Sequence, residues 1–533
     1  MVVEQDDPAS VAGKLVILHY HLRPGGIRRV IELATPHLTR EARGRITRVV
    51  LAIGERADRQ WHEQFSRQFS HLPVEVFVEP SFNYLSEQRE APRNILARVR
   101  RGIKRLLAGG DAWNCLVWAH NLGVGRNLLL SRELAAACVA RGIPMLSHHH
   151  DWWFDNRWER WPEMRRFDFR TLAAAARAIF PEQGRFVHAA INHADAAILS
   201  RQFGDAALWL PNLTEPAVPT ATAHIRAARR WLRNKLAQDQ APVWVSPCRF
   251  LRRKNIGEAL LLTRWLRPGA WLVVTGAASS AGEIPCFRAL ETAARQHQWR
   301  LRLGVLAGRE SDKPGVAELL AVSEVVLLTS LQEGFGLPYL EATAAQRPLL
   351  ARRLPNIAPD LDRFGFRFPQ AYDDILIAPT LFDWRSEQAR QMKLFRDWRA
   401  AMPSRARELV ALPPVLTSAL PHPFPFSRLT LTAQLEVLAH PALDSWEACL
   451  PLNPFLNAWR RRAAAGQLRV TRWPRKANRW LSGKGYARRI ISALATRPKL
   501  SRKGFSAVEV QADFIENKVA AHNLYPLLWS TET

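Results

Sequence analysis

The run Glu333-Gly-Phe-Gly-Leu-Pro-Tyr-Leu-Glu341 sets two carboxylates around a pair of glycines. It follows Val325-Val-Leu-Leu328, an apolar segment of strand character, and enters Tyr339 to Ala345, whose alanines favour helix. A carboxylate, glycines and a helix start at the carboxyl end of a strand form a place where phosphate docks on backbone N–H groups. Glu333 falls in the loop, and Glu341 a turn or more into the helix. The glycines let backbone approach a ligand closely and adopt positive φ. Upstream, Ser246-Pro-Cys-Arg-Phe-Leu-Arg-Arg-Lys-Asn255 follows another apolar segment and carries Arg249 and Lys254, with Arg252 and Arg253 beside them. Arg grips phosphate in a bidentate fork and Lys acts as a point charge. Such cations, with helix N-termini, neutralise a departing diphosphate where no metal does so.

These two motifs resemble the E-x7-E signature and the R-x4-K element of retaining GT-B glycosyltransferases, particularly family four. The resemblance covers roughly residues 14–380 and is strongest from 246 to 350. It implies that Glu333 lies near the donor sugar, that Glu341 binds the nucleotide ribose, and that Arg249 and Lys254 grip the diphosphate. It implies that Gly25 and Gly26 close over the donor phosphates, and that His150, with His149 as the fallback, reaches the donor sugar. Ser330, Phe335, Gly336 and Leu337 are expected to line the same site, partly through backbone atoms. The implied reaction is retaining transfer of a hexose from a UDP-, GDP- or ADP-sugar to a hydroxyl acceptor, giving an α-linkage in polysaccharide, glycolipid or glycoconjugate synthesis. No cofactor beyond the donor and no metal is expected. Asp360-Leu-Asp362 fits a D-x-D metal pattern but falls after the donor segment. The rivals are a GT-B nucleotide-sugar epimerase or phosphorylase, and a catalytically degenerate binding or scaffold protein.

Other residues bear chemistry with weaker spacing. Pro24-Gly25-Gly26 breaks the chain after the first apolar run, flanked by Arg23 and Arg28, but does not match G-x-G-x-x-G. Ser147-His-His-His150-Asp151-Trp-Trp153 follows a strand candidate, and His120-Asn121 follows the one before it. Adjacent side chains on an extended segment alternate faces, so three successive histidines do not converge on one ion. Trp152, Trp153 and Trp158 are candidates for an acceptor platform or for core.

The elements that must position these groups read as an α/β series. Strand candidates are Lys14–Leu18, Thr47–Ile53, Val74–Val78, Cys115–Ala119, Pro144–Ser147 and Ala196–Leu199. After a Pro- and Thr-containing break from Leu210 to about Thr222 come Val243–Ser246, Trp271–Thr275, Leu301–Leu306 and Val325–Leu328. Helical segments such as Arg93–Leu107, Asn127–Ala140 and Ile225–Leu236 separate several of them. This alternation predicts two doubly wound Rossmann-like domains, 1–212 on the acceptor side and 213–440 on the nucleotide-sugar side, facing across a cleft in a GT-B fold. Residues 441–533 read as a basic helical extension in which Phe514–Trp529 returns to the N-terminal domain.

With 533 residues and a net charge of +27, the chain is long enough for two or three cores and its surface seeks anions. The excess is concentrated from Arg460 to Lys503, which has no Asp or Glu and interleaves Trp459, Trp473, Trp480 and Tyr486. That composition fits peripheral contact with an anionic membrane surface; nucleic acid is not expected, because no recognised module accompanies the charge. Five scattered cysteines without C-x-x-C spacing argue against both a disulfide framework and a zinc site. The acidic start and the lack of any run near the roughly 18–20 apolar residues of a membrane span point to a cytoplasmic protein.

Overall fold

The computed structural model describes residues 13–529, apart from 43, 70, 215–219, 238, 279, 309–312, 419 and 496–505. The chain divides into two compact units. The first comprises residues up to 215 with 401–409 and 478–518; the second comprises 216–400, 410–477 and 519 onward.

The first unit holds a seven-stranded sheet of β1 (Gly13–Leu18), β2 (Ile46–Ile53), β3 (Val74–Val78), β4 (Cys115–His120), β5 (Met145–His149), β6 (Phe186–Ala190) and β7 (Ala207–Trp209). All pairings are parallel, in the order β3-β2-β1-β4-β5-β6-β7. The second holds β8 (Val243–Ser246), β9 (Trp271–Val274), β10 (Leu301–Arg302), β11 (Val325–Leu328), β12 (Leu349–Arg352) and β13 (Gln370–Tyr372), again all parallel, in the order β10-β9-β8-β11-β12-β13. Both sheets therefore run outward in one direction from their first strand and in the other from their fourth, the doubly wound pattern of Rossmann domains. Leu15–Leu18 and Val325–Leu328 are at most 2% exposed, because helices cover both faces of a parallel sheet. Two such sheets are the two halves of a GT-B architecture.

The structure differs from the sequence reading at several elements. Ala196–Leu199 is helical, within His193–Phe203, where the Asn192 side chain caps the start by accepting from the Asp195 N–H at 2.8 Å. A buried apolar run of this length has the same composition in helix and strand, and the cap decides. β6, β7, β12 and β13 were not recognised, and the stretch Leu301–Leu306 is a strand only at its first two residues. β12 is obscured by Arg352, a cation 2% exposed that forks onto Glu258 within the core of the second unit.

The stretch after residue 440 is shared between the units. The helix Phe455–Ala464 stays in the second, where Trp459 and Ala463 join its core. The helix Gly483–Ala495 lies on Gly26–Glu41, with Tyr486, Ala487 and Ile490 in the same core as Val30, Ile31 and Leu38. The returning helix in the first unit is Ala507–Lys518, not Phe514–Trp529; residues 519–529 belong to the second unit. Phe514 packs on Trp152 at 4.4 Å between ring centroids, and Lys518 Nζ reaches Asp155 Oδ1 at 3.0 Å and Asp195 Oδ1 at 3.2 Å. Burial works against the Lys518 charge, but the two carboxylates outweigh it and hold the ammonium above its ordinary range. Lys518→Met leaves both carboxylates without their shared cation, and breaking such a buried pair costs about 3–5 kcal/mol. Urea unfolding followed by circular dichroism should show the first unit destabilised by that order; an unchanged transition would mean the helix is held by Phe514 packing alone.

Candidate active site

In an open parallel sheet the crevice for a ligand lies beyond the carboxyl ends of the two strands where the winding reverses. In the second unit those strands are β8 and β11. Past β8 the chain crosses Arg249, makes a single 3-10 turn at Arg252–Lys254, passes Asn255 with φ 48°, and enters the helix Ile256–Leu266. Past β11 come Ser330 and Glu333. The two loops are tied directly: the Leu331 N–H donates to the Arg253 carbonyl at 2.7 Å, and the Thr329 hydroxyl lies 3.0 Å from the carbonyls of Lys254 and Asn255. Gly276, past β9, lies so close that a Cβ there would sit 2.8 Å from the Arg249 Cα, so only glycine fits beside this loop.

Glu333 is the focus of this arrangement. Its side chain is 8% exposed; one oxygen pairs with Lys254 Nζ and accepts from the Ser330 hydroxyl at 2.6 Å, and the other faces Arg253 Nη1 at 3.3 Å. Arg253 Nη1 also donates to the Gln332 carbonyl at 3.0 Å, and Asn356 Nδ2 donates to the Glu333 carbonyl at 2.8 Å. Burial alone would push the Glu333 carboxyl up; the charges of Lys254 and Arg253, with their hydrogen bonds, hold it below the usual carboxylate range. The result is an ionised carboxylate fixed in direction by three groups, Lys254, Arg253 and Ser330.

The helix Leu337–Ala344 starts at Gly336, whose φ of 78° is the left-handed conformation glycine permits. Phe335 is buried, 4% exposed, and Glu341 is the fifth residue of the helix, half-buried. The structure thus brings Lys254, Ser330 and Glu333 into one hydrogen-bonded cluster and sets Gly336 and Leu337 at the helix start beside it. Arg249 is exposed at the loop's outer side. Arg253 and Asn356 were not singled out by the motif: Arg253 looked like one of several loop cations, and Asn356 lies after β12, a strand the sequence reading missed. The carboxyl-terminal segment was missed too. Leu331 packs with Tyr525 and Leu527, and Arg428 stacks over the Tyr525 ring at 4.0 Å, so residues from the end of the second unit support the loop that carries Glu333.

Gly25, Gly26 and His150 belong to the first unit. Gly25 caps the helix Gly26–Glu41 with extended backbone, and both glycines are exposed. Arg23 forks onto Glu55 at 2.6 and 2.7 Å and Arg28 pairs with Glu32 at 3.0 Å, so both flanking arginines are engaged with carboxylates. His150 follows β5 and is 7% exposed; its Nε2 lies 3.1 Å from His120 Nδ1. Burial lowers its pKa to about 4 against the pull of Asp151, so the ring is neutral. Asn121, with φ 61°, accepts from the N–H groups of His150 and Asp151 at 3.1 and 2.9 Å and so fixes this turn. His149 faces the opposite side of the sheet, stacked on Trp152 at 4.4 Å. Trp152, Trp153 and Trp158 are at most 1% exposed and are core, not an acceptor platform.

The basic segment is also reassigned in part. Tyr486 is fully buried, Trp459 is 7% exposed, and Trp473 and Trp480 are half-buried, packed edge-on to Phe366 at 5.4 Å and against Trp209 at 4.8 Å. These rings stabilise the units and do not form an interfacial belt. Arg461, Arg469, Arg472, Arg475 and Lys476 remain exposed on the second unit, and Arg479, Lys484 and Arg488 on the first; Arg497, Lys499, Arg502 and Lys503 lie outside the described residues. Asp360 is buried whereas Asp362 pairs with Arg367 at 2.6 Å, so this pair does not present a joint ligand set. Among the described residues no helix is long and apolar enough to cross a membrane.

Residues 228–361 match the family model of glycosyl transferases group 1. The matched stretch lies within the second unit. Mannosylglucosyl-3-phosphoglycerate synthase of Petrotoga mobilis is 24% identical over 350 residues, covering 64% of this chain and 65% of that enzyme, just short of two thirds of its length. Among solved structures, Anabaena HepE in complex with UDP and glucose superposes with a TM-score of 0.48 at 15% identity, over 91% of this chain and 100% of that one. A UDP-forming trehalose-phosphate synthase from Burkholderia vietnamiensis gives 0.43 at 14%, with the same coverage. The strand orders, rather than these superpositions, carry the fold. The matched residues of the group 1 domain include both loops of the cluster, from Arg249 to Glu341.

Lys254→Met removes the nearest cation from Glu333 and leaves burial as the leading influence on its carboxyl. In the native protein the folded-state pKa of Glu333 lies below its unfolded value of about 4.3, so its contribution to stability is present above that value and is lost only as pH falls through the lower folded one. In the variant burial opposes the charged carboxyl, so that contribution is diminished or absent and the variant falls short of the parent mainly at neutral pH. Urea midpoints measured from pH 3 to 7 should converge towards the acid end; curves that stay parallel would show that Glu333 does not depend on Lys254.

Proposed function

We propose that this chain is a retaining glycosyltransferase that moves a hexose from a nucleoside diphosphate sugar to a hydroxyl acceptor. The observation that carries the reading is the Glu333 carboxylate, held ionised between Lys254 and Arg253 at the point in a group 1 domain where the winding of the sheet reverses. Transfer requires stabilisation of two charges that separate: a leaving diphosphate and a positive, oxocarbenium-like sugar. A fixed carboxylate suits the second. The remaining N–H groups of Lys254, the exposed Arg249 and the start of the helix Leu337–Ala344 suit the first. Glu341, further along that helix, is assigned to the ribose.

With the carboxylate already engaged by two cations, we assign it to orienting the donor sugar rather than to nucleophilic attack. The leaving phosphate then takes the acceptor proton on the same face, which keeps the anomeric configuration. The positive charge comes from side chains, so the diphosphate is bound without a divalent ion. The 3-phosphoglycerate in the name of the Petrotoga enzyme and the net charge of +27 both favour an anionic acceptor or an anionic surface that carries one.

Glu341→Ala should weaken binding of UDP or GDP by about 1.5–3 kcal/mol, the worth of a hydrogen bond to a charged group, whereas Glu333→Ala should chiefly lower turnover with a panel of UDP-, GDP- and ADP-sugars. Adding Mg²⁺ or Mn²⁺ should leave nucleotide affinity unchanged in calorimetry. Unaltered affinity in Glu341→Ala removes the ribose assignment; affinity that appears only with a divalent ion removes the metal-free one.

The exposed cations from Arg461 to Arg488 are proposed to hold the protein reversibly on anionic bilayers, each contributing about 1 kcal/mol near the surface at low salt. Cosedimentation with anionic vesicles should fall as salt is raised and should weaken on charge reversal at Arg475, Lys476 and Arg479. Equal pelleting with neutral vesicles, or none with anionic ones, sinks this attachment.

A further inference from the structure

The first unit gathers imidazoles at the point where its own sheet reverses, between β1 and β4. His120 ends β4, and His148 and His150 lie two residues apart at the end of the adjacent β5, where their register partners are known: His120 is opposite His148. Alternation along β5 separates His149 from its neighbours but puts His148 and His150 on one side, and the next strand brings His120 to meet them. Thus three histidines converge although three successive ones do not. One ring nitrogen from each of the three lies within 4.8 Å of the others, and all three residues are buried.

Two details point to a ligand and not to simple packing. His120 Nδ1 and His150 Nε2 are 3.1 Å apart, close to the separation of about 3.3 Å that two imidazole nitrogens adopt on one tetrahedral ion with bonds of about 2.0–2.1 Å. His148, itself fully buried, keeps a ring nitrogen, Nε2, without a hydrogen-bond partner. Buried polar nitrogens are ordinarily satisfied, and each exception asks for an explanation. On its other side His148 Nδ1 meets the Tyr486 hydroxyl at 3.4 Å, the kind of outer partner that fixes the orientation of a ligating imidazole. The Asn121 side chain fixes the backbone of His150 in the same way.

We propose that His120, His148 and His150 form a binding site for one Zn²⁺-class ion, which ties the end of β4 to the end of β5 in the first unit. An all-imidazole set selects Zn²⁺ and its borderline neighbours such as Co²⁺ over Mg²⁺, Ca²⁺ and Mn²⁺, which take oxygen ligands. The two positions already at ligand spacing need little movement, and a small rotation of the His148 ring brings the third nitrogen in. Three protein ligands leave a fourth position for water.

Tag-free full-length protein, stripped by chelator and re-exposed to micromolar Zn²⁺, should retain about one equivalent after gel filtration, measured by elemental mass spectrometry. Co²⁺ in its place should show the intense visible absorption of a tetrahedral nitrogen site. His120→Gln with His148→Gln, which keeps side-chain volume, should lower affinity by more than the roughly 10–100-fold that loss of an outer partner costs, with a native circular dichroism spectrum. Zn²⁺ should raise the melting temperature of the parent protein and not of the variant. If the variant does not fold, the parent measurements still decide. No retained ion, an octahedral Co²⁺ spectrum, or equal retention by a folded variant overturns the site.

Discussion

A single carboxylate, Glu333, organises the second unit beyond its strands. Burying a charge at the end of β11 is unfavourable unless opposite charge and hydrogen bonds accompany it. The chain meets that demand from two loops, with Lys254 and Arg253 after β8 and Ser330 after β11, while Asn356, from beyond β12, donates to the Glu333 backbone carbonyl. Each partner must be delivered within hydrogen-bonding distance, so the loops are clamped to one another through Leu331 and Thr329, and the clamp is backed by Tyr525 and Leu527. The parallel sheet makes this convergence possible because it sends the ends of β8 and β11 to the same edge. A ligand with negative charge entering there meets cations already held in place, and pays little to order them.

The same demand accounts for what could be read from the residues in advance. The two glutamates, the two glycines and the lysine carry local signatures, because a strand, a tight loop and a capped helix are specified within a few residues. Gly336 is an example: a helix starting from a left-handed position calls for glycine, and the motif shows it. Two doubly wound domains were legible from the alternation of apolar runs and amphipathic segments. Asn356 and Arg253 were not legible as partners of Glu333, since their roles depend on which loops meet across the sheet. Nor was β12, where Arg352 interrupts the apolar pattern and is tolerated because Glu258, from the helix after the loop that carries Lys254, and Asp374 pair with it.

The carboxyl-terminal part shows the limit of composition more sharply. Its cations and aromatic residues look alike in sequence, yet the structure treats them oppositely. Helical spacing sends Tyr486, Ala487 and Ile490 into the first unit's core and leaves Lys484 and Arg488 outside, the periodicity of an amphipathic helix covering a domain. Among the described residues, the exposed cations of this run are thus the solvated face of elements that complete both units. Phe514 and Lys518 repeat the theme, one packing against Trp152 and Phe180, the other pairing with Asp155 and Asp195.

Two sheets with one winding order place their reversal points alike, but fill them with opposite chemistry. In the second unit the point is charged: two cations and an ionised carboxylate, with anion-seeking groups around them. In the first it is a group of imidazoles that burial keeps neutral, His19 down to about 3, His150 to about 4, and His120 and His148 far below their ordinary value, with neighbouring rings adding to the effect in all but His150. Neutral imidazoles have no net charge to offer a phosphate. What they offer is lone pairs and N–H groups of fixed direction, which suit a sugar hydroxyl or a borderline metal ion. The division follows from burial: a carboxylate can stay ionised in the interior when cations are brought to it, while the clustered histidines, for which Asp151 does not offset burial, are accommodated there by losing their protons.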